Sequence, residues 1–225
     1  MTVTPQGNLS EARYWSLTAK RPSAIMTAQD WNEAIHDSLL QAVKKRISIA
    51  DVPVGVLLSG GLDSSLLVAL LAEAGQSDIR TFSIGFEDQP EERGNEFEFS
   101  DAVAERYATD HQKFLIPNSE VLTRLPEAVM AMAEPMFGQD AIAFYLLSEQ
   151  VSRSVKVVQS GQGADEVFAG YFWYKRMQEA QGSALQRFSS HYVDRDHAEF
   201  CDTVAPEFRG EDHTSALIEE HLMIR

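Results

Sequence analysis

From residue 27 onward the chain alternates between two hydrophobic rhythms. Trp31, Ile35, Leu39, Ala42 and Val43 recur at helical spacing, and Thr27 with Asp30 stands where a capping box would start that helix. Val54-Gly55-Val56-Leu57-Leu58 is then a short apolar run of the kind that forms a buried parallel strand. Leu67, Leu70, Leu71 and Ala74 mark one face of a second helix, with Gly75 as its stop. Thr81 to Phe86 reads as a second strand, followed by an acidic loop from Glu87 to Glu96 and a helix carrying Phe99, Ala102, Val103 and Tyr107. Lys113 to Ile116 is a third strand. Helical signals follow after Pro126 (Val129, Met130, Met132) and from Ala141 to Val151, the latter apolar almost all round and so expected to be buried. A fourth strand is predicted at Val155 to Val158, and Tyr171 to Arg225 shows helix-like patterns with no strand run.

Strand and helix in regular alternation predict an α/β fold, a parallel sheet with helices on both faces, plus a helical C-terminal segment. Residues 1–25 are polar and irregular, with Pro5, Gly7 and Pro22, and read as a leader or linker ahead of one domain over 26–225. Ligands of such sheets bind beyond the carboxyl ends of the strands, so the residues that follow each strand are the ones to inspect.

Charge changes what those residues must do. With 34 acidic and 19 basic residues the formal charge is −15, which argues against nucleic acid as a partner. A protein this acidic can hold a polyphosphate only through backbone amides, a metal ion or local cations. No apolar run approaches the roughly 20 residues that span a bilayer, and the N-terminus lacks the apolar stretch of a secretory signal. The expected setting is cytoplasmic, without a membrane partner. The single cysteine, Cys201, lies among acids that would raise its pKa and is read as a buried or incidental thiol.

After the first strand comes Ser59-Gly60-Gly61-Leu62-Asp63-Ser64-Ser65. Gly60 and Gly61 allow a sharp turn and keep Cβ atoms away from a ligand. The amides that follow open a helix, whose positive end favours anions, and Ser59, Ser64 and Ser65 add hydroxyl donors. The loop is not a Walker A sequence, since the Gly-Lys-Ser/Thr ending is missing. Asp63 would repel phosphate unless Mg²⁺ lay between them, so its presence argues for a metal–phosphate ligand. A capped turn using Asp63 or Ser64 as N-cap would explain one polar residue, but not two glycines, three serines and an acid at one strand end.

These seven residues, following Asp51-Val52-Pro53-Val54-Gly55-Val56-Leu57-Leu58, resemble the pyrophosphate-binding loop of the N-type ATP pyrophosphatases, and of the asparagine synthetase family in particular. The resemblance implies the adenine nucleotide alpha hydrolase-like form of the parallel-sheet fold. It also implies ATP as substrate, with adenine held mainly by backbone groups at Leu58 and Ile84. Ser160-Gly161-Gln162-Gly163-Ala164-Asp165-Glu166 at the fourth strand end matches the stretch that holds the ribose and α-phosphate side. There Asp165 would share Mg²⁺ with Asp63, two hard carboxylates completed by phosphate oxygens and water. On its own, Asp165-Glu166 is ordinary first-turn charge on a helix. Asp63, Gln162 and Asp165 are the residues the resemblance makes catalytic.

Gln162 is a departure, since most glutamine-dependent asparagine synthetases carry glutamate there. Glutamine cannot take a proton or counter an ammonium charge, which speaks against plain aspartate as substrate. Asn95-Glu96-Phe97, Thr109-Asp110-His111, Ala133-Glu134-Pro135-Met136, Phe144 to Ser148 and Val157 to Tyr171 are similar to a bacterial subgroup, the N-acetylglutaminylglutamine amidotransferases. The implied partners are a substrate carboxylate, ammonia, and a glutaminase domain elsewhere in a longer protein; a homodimer is compatible with all of this. The family's glutaminase domain opens with a cysteine nucleophile and its later helix supplies a lysine, neither of which is in this chain. The expectation is therefore a portion that binds ATP–Mg²⁺ weakly without completing synthesis.

Other readings are another ATP pyrophosphatase (an NAD, GMP or argininosuccinate synthetase, a tRNA-thiolating enzyme, or a β-lactam synthetase-like cyclase) and a non-catalytic ATP- or AMP-binding module. A tRNA-thiolating enzyme should show a basic surface and reactive cysteines. A sensor has no need of paired acids at the scissile bond. The segment His191 to His197 has no common zinc spacing and reads as solvated helical charge, and His111 reads as structural.

Overall fold

The computed structural model describes residues 1–16, 23–91, 93–134 and 138–222; Pro22, Pro135 and Met136, named above, lie outside them. Two short strands open the chain, β1 (Thr2–Val3) and β2 (Leu9–Ser10), paired antiparallel through a turn at Gly7. The irregular leader expected over 1–25 thus contains a small hairpin. Helix α1 (Ala28–Ser48) begins with the expected capping box: the Asp30 amide donates to the Thr27 hydroxyl oxygen and the Thr27 amide donates to the Asp30 carboxylate.

The chain then builds β3 (Val54–Leu57), α2 (Leu62–Glu73), β4 (Arg80–Phe86), α3 (Phe97–Tyr107), β5 (Asp110–Ile116), α4 (Asn118–Ala131), α5 (Gln139–Val151) and β6 (Val157–Gln159). The four strands β3 to β6 form one parallel sheet in the order β5-β4-β3-β6. Chain order therefore reverses between β3 and β6, and a crevice is expected beyond their carboxyl ends.

Helices cover both faces. On one, Val43 of α1, Val56 of β3, and Val68, Leu70 and Leu71 of α2 bury together with Ile79, flanked by Val103 and Tyr107 of α3. On the other, Phe82 of β4 packs against Leu147 and Val151 of α5, and Ile116 against Ala128 of α4 and Ile142 and Leu146 of α5. Phe82 is wholly buried, and truncating such a ring to alanine typically costs about 3–5 kcal/mol.

The differences from expectation have local causes. Helix α4 begins at Asn118 and runs through Pro126, although its start was expected only after that proline. The missing N–H at 126 frees the Leu122 carbonyl, and Leu122 is 78% exposed, so water can take that acceptor. Helix α5 is not buried all round: Ile142, Leu146, Leu147 and Val151 face inward while Phe144 is exposed. Strand β6 starts two residues later and ends one later than Val155–Val158, with Val155 packed beside Phe82 ahead of it. Beyond it the described residues form helices and no strand: α6 (Ala164–Phe168), α7 (Phe172–Glu179), α8 (Ala184–Tyr192), α9 (His197–Thr203), a 3₁₀ turn at Pro206–Phe208, and α10 (His213–Leu222).

Candidate active site

A cleft of about 410 Å³ sits where the order of strands reverses. Its walls are the turn after β3, the turn after β6 and the first turns of α5, over a floor of Phe82, Ser83 and Ile84. Of the residues singled out in sequence, Leu58, Ser59, Gly61, Asp63, Ser64 and Ile84 line it from the first side, and Ser160, Gly161, Gln162 and Asp165 from the other. Gly60, Leu62 and Ser65 are not among its lining; the Leu62 side chain is 83% exposed.

The first turn is knitted together by its own side chains. The Ser59 amide donates to Ser64 Oγ at 3.2 Å, the Ser59 and Ser64 hydroxyls meet at 3.0 Å, and the Gly61 amide donates to Ser59 Oγ at 3.2 Å. Ser64 Oγ and Ser65 Oγ both donate to the Gly61 carbonyl, at 3.2 and 2.6 Å. The serine hydroxyls, expected as ligand donors, are thus spent on shaping the loop. Gly61 occupies the N-cap of α2 with no capping side chain, so the amides of Leu62, Asp63 and Ser64 have no acceptor among the described residues. They, with the helix dipole, are the groups this loop offers to an anion.

Gly60 has φ +88°, and a Cβ there would lie 2.5 Å from Phe99 Cβ and 2.6 Å from the Ser100 amide. The absent side chain makes room for α3 behind the loop, not for a ligand in front, which corrects the expectation for this glycine. The ligand side is kept open by Gly161 instead. A Cβ at 161 would stand 2.9 Å from Asp63 Cβ and 3.1 Å from the Ser64 amide nitrogen, in front of the helix start. Leu58 is fully buried; its amide donates to Phe82 O and its carbonyl accepts from the Ser83 hydroxyl.

The second turn is sparsely bonded. The Gln162 amide donates to Ser160 Oγ at 3.0 Å and the Ala164 amide to Gly161 O at 3.3 Å, while Gly163 adopts φ +92° to enter α6. Asp63 and Asp165 both line the cleft, the Asp165 carboxylate lying against Gly170, and neither has a hydrogen-bond or ion-pair partner among the described residues. Glu166 accepts from the Tyr171 hydroxyl at 2.8 Å, and that bond pushes the Tyr171 phenol up to about 12 from its ordinary 10.0.

Sequence reasoning missed Asp140 and Phe144, which α5 presents to the cleft. Asp140 stands before the helix expected from Ala141, and α5 takes it in by starting at Gln139. Phe144 looked like core, and its 38% exposure inside an otherwise apolar helix emerges only when the helix is docked. The lining contains four carboxylates, Asp63, Asp140, Asp165 and Glu166, and no lysine, arginine or histidine.

Comparison with known proteins fits this geometry. The asparagine synthase family model matches residues 34–221, and the chain belongs to that family. It is similar to the glutamine-hydrolyzing asparagine synthetase 1 of Bacillus subtilis, 31% identical over 175 residues, covering 77% of this chain and 26% of that protein. Against the glutamine-hydrolyzing asparagine synthetase of Triphysaria versicolor the figures are 33% over 148 residues, 60% and 24%. The chain thus spans about a quarter of the length of these relatives. Among solved structures, the NH3-dependent NAD synthetase of Campylobacter jejuni overlaps 84% of this chain and 93% of its own, with TM-score 0.44 and 12% identity, too loose to add to what the sheet itself shows. Among the described residues no helix is long and apolar enough to cross a membrane.

Proposed function

We propose that residues 26–225 are the ATP-using synthetase portion of an amide-forming ligase, and that residues 1–25 lead into it. In this reading the substrate carboxylate attacks the α-phosphorus of ATP, the bond to pyrophosphate breaks, and ammonia displaces AMP from the acyl-adenylate to give the amide. A glutaminase domain of the full-length protein supplies the ammonia from glutamine, in the cytoplasm. The observation that carries the reading is the meeting of two strand-end turns in one cleft: unpaired α2 amides stand beside Asp63 on one side, and Asp165 on the other.

The residues suit Mg²⁺. Asp63 and Asp165, neither with a polar partner, line opposite walls of a cleft whose described lining contains no cation, and no three His, Cys, Asp or Glu among the described residues converge into a ready-made metal site. That leaves coordination to be completed by phosphate oxygens and water, as this ion prefers. Asp63 and Asp165 would hold it, and it would offset charge on the departing pyrophosphate. The protein's own contribution is positioning and fixed dipoles: the α2 amides receive phosphate oxygens, Phe82 and Ile84 floor the nucleoside side, and Phe144 helps exclude water.

Gln162 sits on the cleft wall with its side chain exposed. A neutral amide there supports an acceptor other than aspartate, and we assign the substrate to the carboxyl group of a glutamine-type dipeptide. The test is ATP–pyrophosphate exchange by the full-length protein with each candidate acceptor. Asp63→Asn and Asp165→Asn should each reduce exchange by about 100-fold or more. Full exchange in either variant overturns the metal assignment, and aspartate outperforming the dipeptide overturns the substrate assignment. A cyclised product formed without ammonia would point to the cyclase reading. Isothermal titration of this chain with ATP should show binding that EDTA abolishes; metal-independent binding would favour a sensor.

A further inference from the structure

Behind the first turn, on the α3 side of the sheet, His111 of β5 is the hub of a polar cluster that reaches the cleft floor at Ser83. Its side chain is 8% exposed. Nδ1 lies 2.8 Å from Thr81 Oγ1, which in turn lies 2.8 Å from Thr109 Oγ1. Nε2 lies 3.3 Å from Ser100 Oγ and 3.5 Å from Ser83 Oγ.

Donor bookkeeping determines the tautomer. Ser83 donates its only hydroxyl proton to the Leu58 carbonyl and Ser100 donates its own to the Phe97 carbonyl, so toward the imidazole both can only accept. Nε2 must therefore carry the proton. Nδ1 is then an acceptor for Thr81, and Thr81 accepts from Thr109. The Nε2–H tautomer serves Thr81, Ser83 and Ser100 together, and Asp101 Oδ1 stands 3.9 Å from the same Nε2.

Two relays lead from this ring to the phosphate-facing turn. Ser83 grips the carbonyl of Leu58, the residue immediately before Ser59. Ser100 belongs to the start of α3, whose backbone occupies the space beside Gly60. We propose that His111, as the Nε2–H imidazole, is a positioning residue that holds the β3–α2 turn in its anion-receiving shape through Ser83 and Ser100. It touches neither substrate nor metal. The inference builds on the reading of the cleft as an ATP site, but the positioning claim concerns the free protein as well.

The test uses two variants that divide the ring's bonds. His111→Gln can place an N–H donor near the Nε2 position, whereas His111→Asn reaches only the Nδ1 position and leaves Ser83 and Ser100 without their donor. Amide hydrogen exchange of the free chain is read at Ser59 and Gly61, with α1 as internal reference. H111N should speed exchange in the turn by about tenfold or more relative to α1, and H111Q should restore it to within about threefold of the parent. Titration with ATP–Mg²⁺ should weaken in the same order. Equal acceleration in the turn and α1, or equal behaviour of both variants, means a general packing role and overturns the proposal. If the turn responds as expected while the parent binds no ATP–Mg²⁺, the ligand reading fails and the positioning role stands.

Discussion

The two turns that wall the cleft are built on opposite plans. The turn after β3 is tied by five internal hydrogen bonds involving Ser59, Ser64 and Ser65, has Ser64 at 7% exposure, and leans on α3 through Gly60. The turn after β6 has one side-chain bond, from the Gln162 amide to Ser160, and enters a five-residue helix with no buried side chain. The contrast extends outward: no described side chain after Val155 is buried, whereas the sheet and α1 to α5 enclose the core. A site assembled this way has one preformed wall, where fixed dipoles cost no reorganisation when a charged ligand arrives. Its other wall is free to adapt.

The largest expected effect comes from the glycines that open each turn. At Gly60 an alanine would meet both a left-handed backbone and the α3 backbone, so Gly60→Ala should cost at least about 3 kcal/mol, read as a fall in the denaturation midpoint. At Gly163 the backbone is also left-handed, with φ +92°, but nothing lies within 4 Å of the added methyl. Gly163→Ala should cost about 1 kcal/mol, the strain alone. Similar losses in urea denaturation would break the distinction between the two walls.

A smaller difference separates the serines. Ser64→Ala leaves the Ser59 amide without an acceptor in a part-buried setting, and about 1–3 kcal/mol should be lost. Ser160→Ala releases the exposed Gln162 amide to water, so stability should change by less than about 0.5 kcal/mol. If Ser160→Ala is the more destabilising, the β6 turn is not the loose wall.

Much of this was legible along the chain. Four parallel strands followed from apolar runs, although β5 starts at Asp110, three residues before the run at Lys113–Ile116, and the Thr27–Asp30 capping box and Gly75 stop followed from local chemistry that needs no tertiary context. What local chemistry cannot supply is which side of a residue its neighbours occupy. Gly60 and Gly161 look alike in sequence, yet one makes room for α3 and the other for the space before the α2 amides. Ser59, Ser64 and Ser65 were legible as hydroxyls at a strand end, but their mutual bonding depends on the turn's closure. Asp140 and Phe144 reach the cleft only because α5 docks on β4 through Leu147 and Val151. Pro126 read as a helix boundary until the exposure of Leu122 allowed the helix through.

The smallest effect is a pH dependence, and it separates the buried rear of the first turn from the protein's exposed rim. Burial lowers the His111 pKa below its ordinary 6.5, outweighing the opposing pull of Asp101, and Lys113 adds to the lowering. The unfolded chain then takes up the proton first as pH falls, so this histidine's contribution is complete above 6.5 and shrinks as the solution becomes more acidic. His36, exposed on the outer side of α1, runs the other way. Its hydrogen bond to Glu73 at 2.9 Å, aided by Asp37, raises its pKa, so its contribution is present below 6.5 and fades as pH rises through the folded-state value. Thermal midpoints measured across about pH 5 to 8 should therefore fall more steeply toward acid in His36→Gln than in the parent, and less steeply in His111→Gln. Salt distinguishes the two further: about 0.5 M NaCl should flatten the exposed His36 component and leave the buried His111 component in place. A His36→Gln profile identical to the parent at low salt would overturn the argument for His36, and a His111→Gln profile with the parent's acid slope would overturn it for His111.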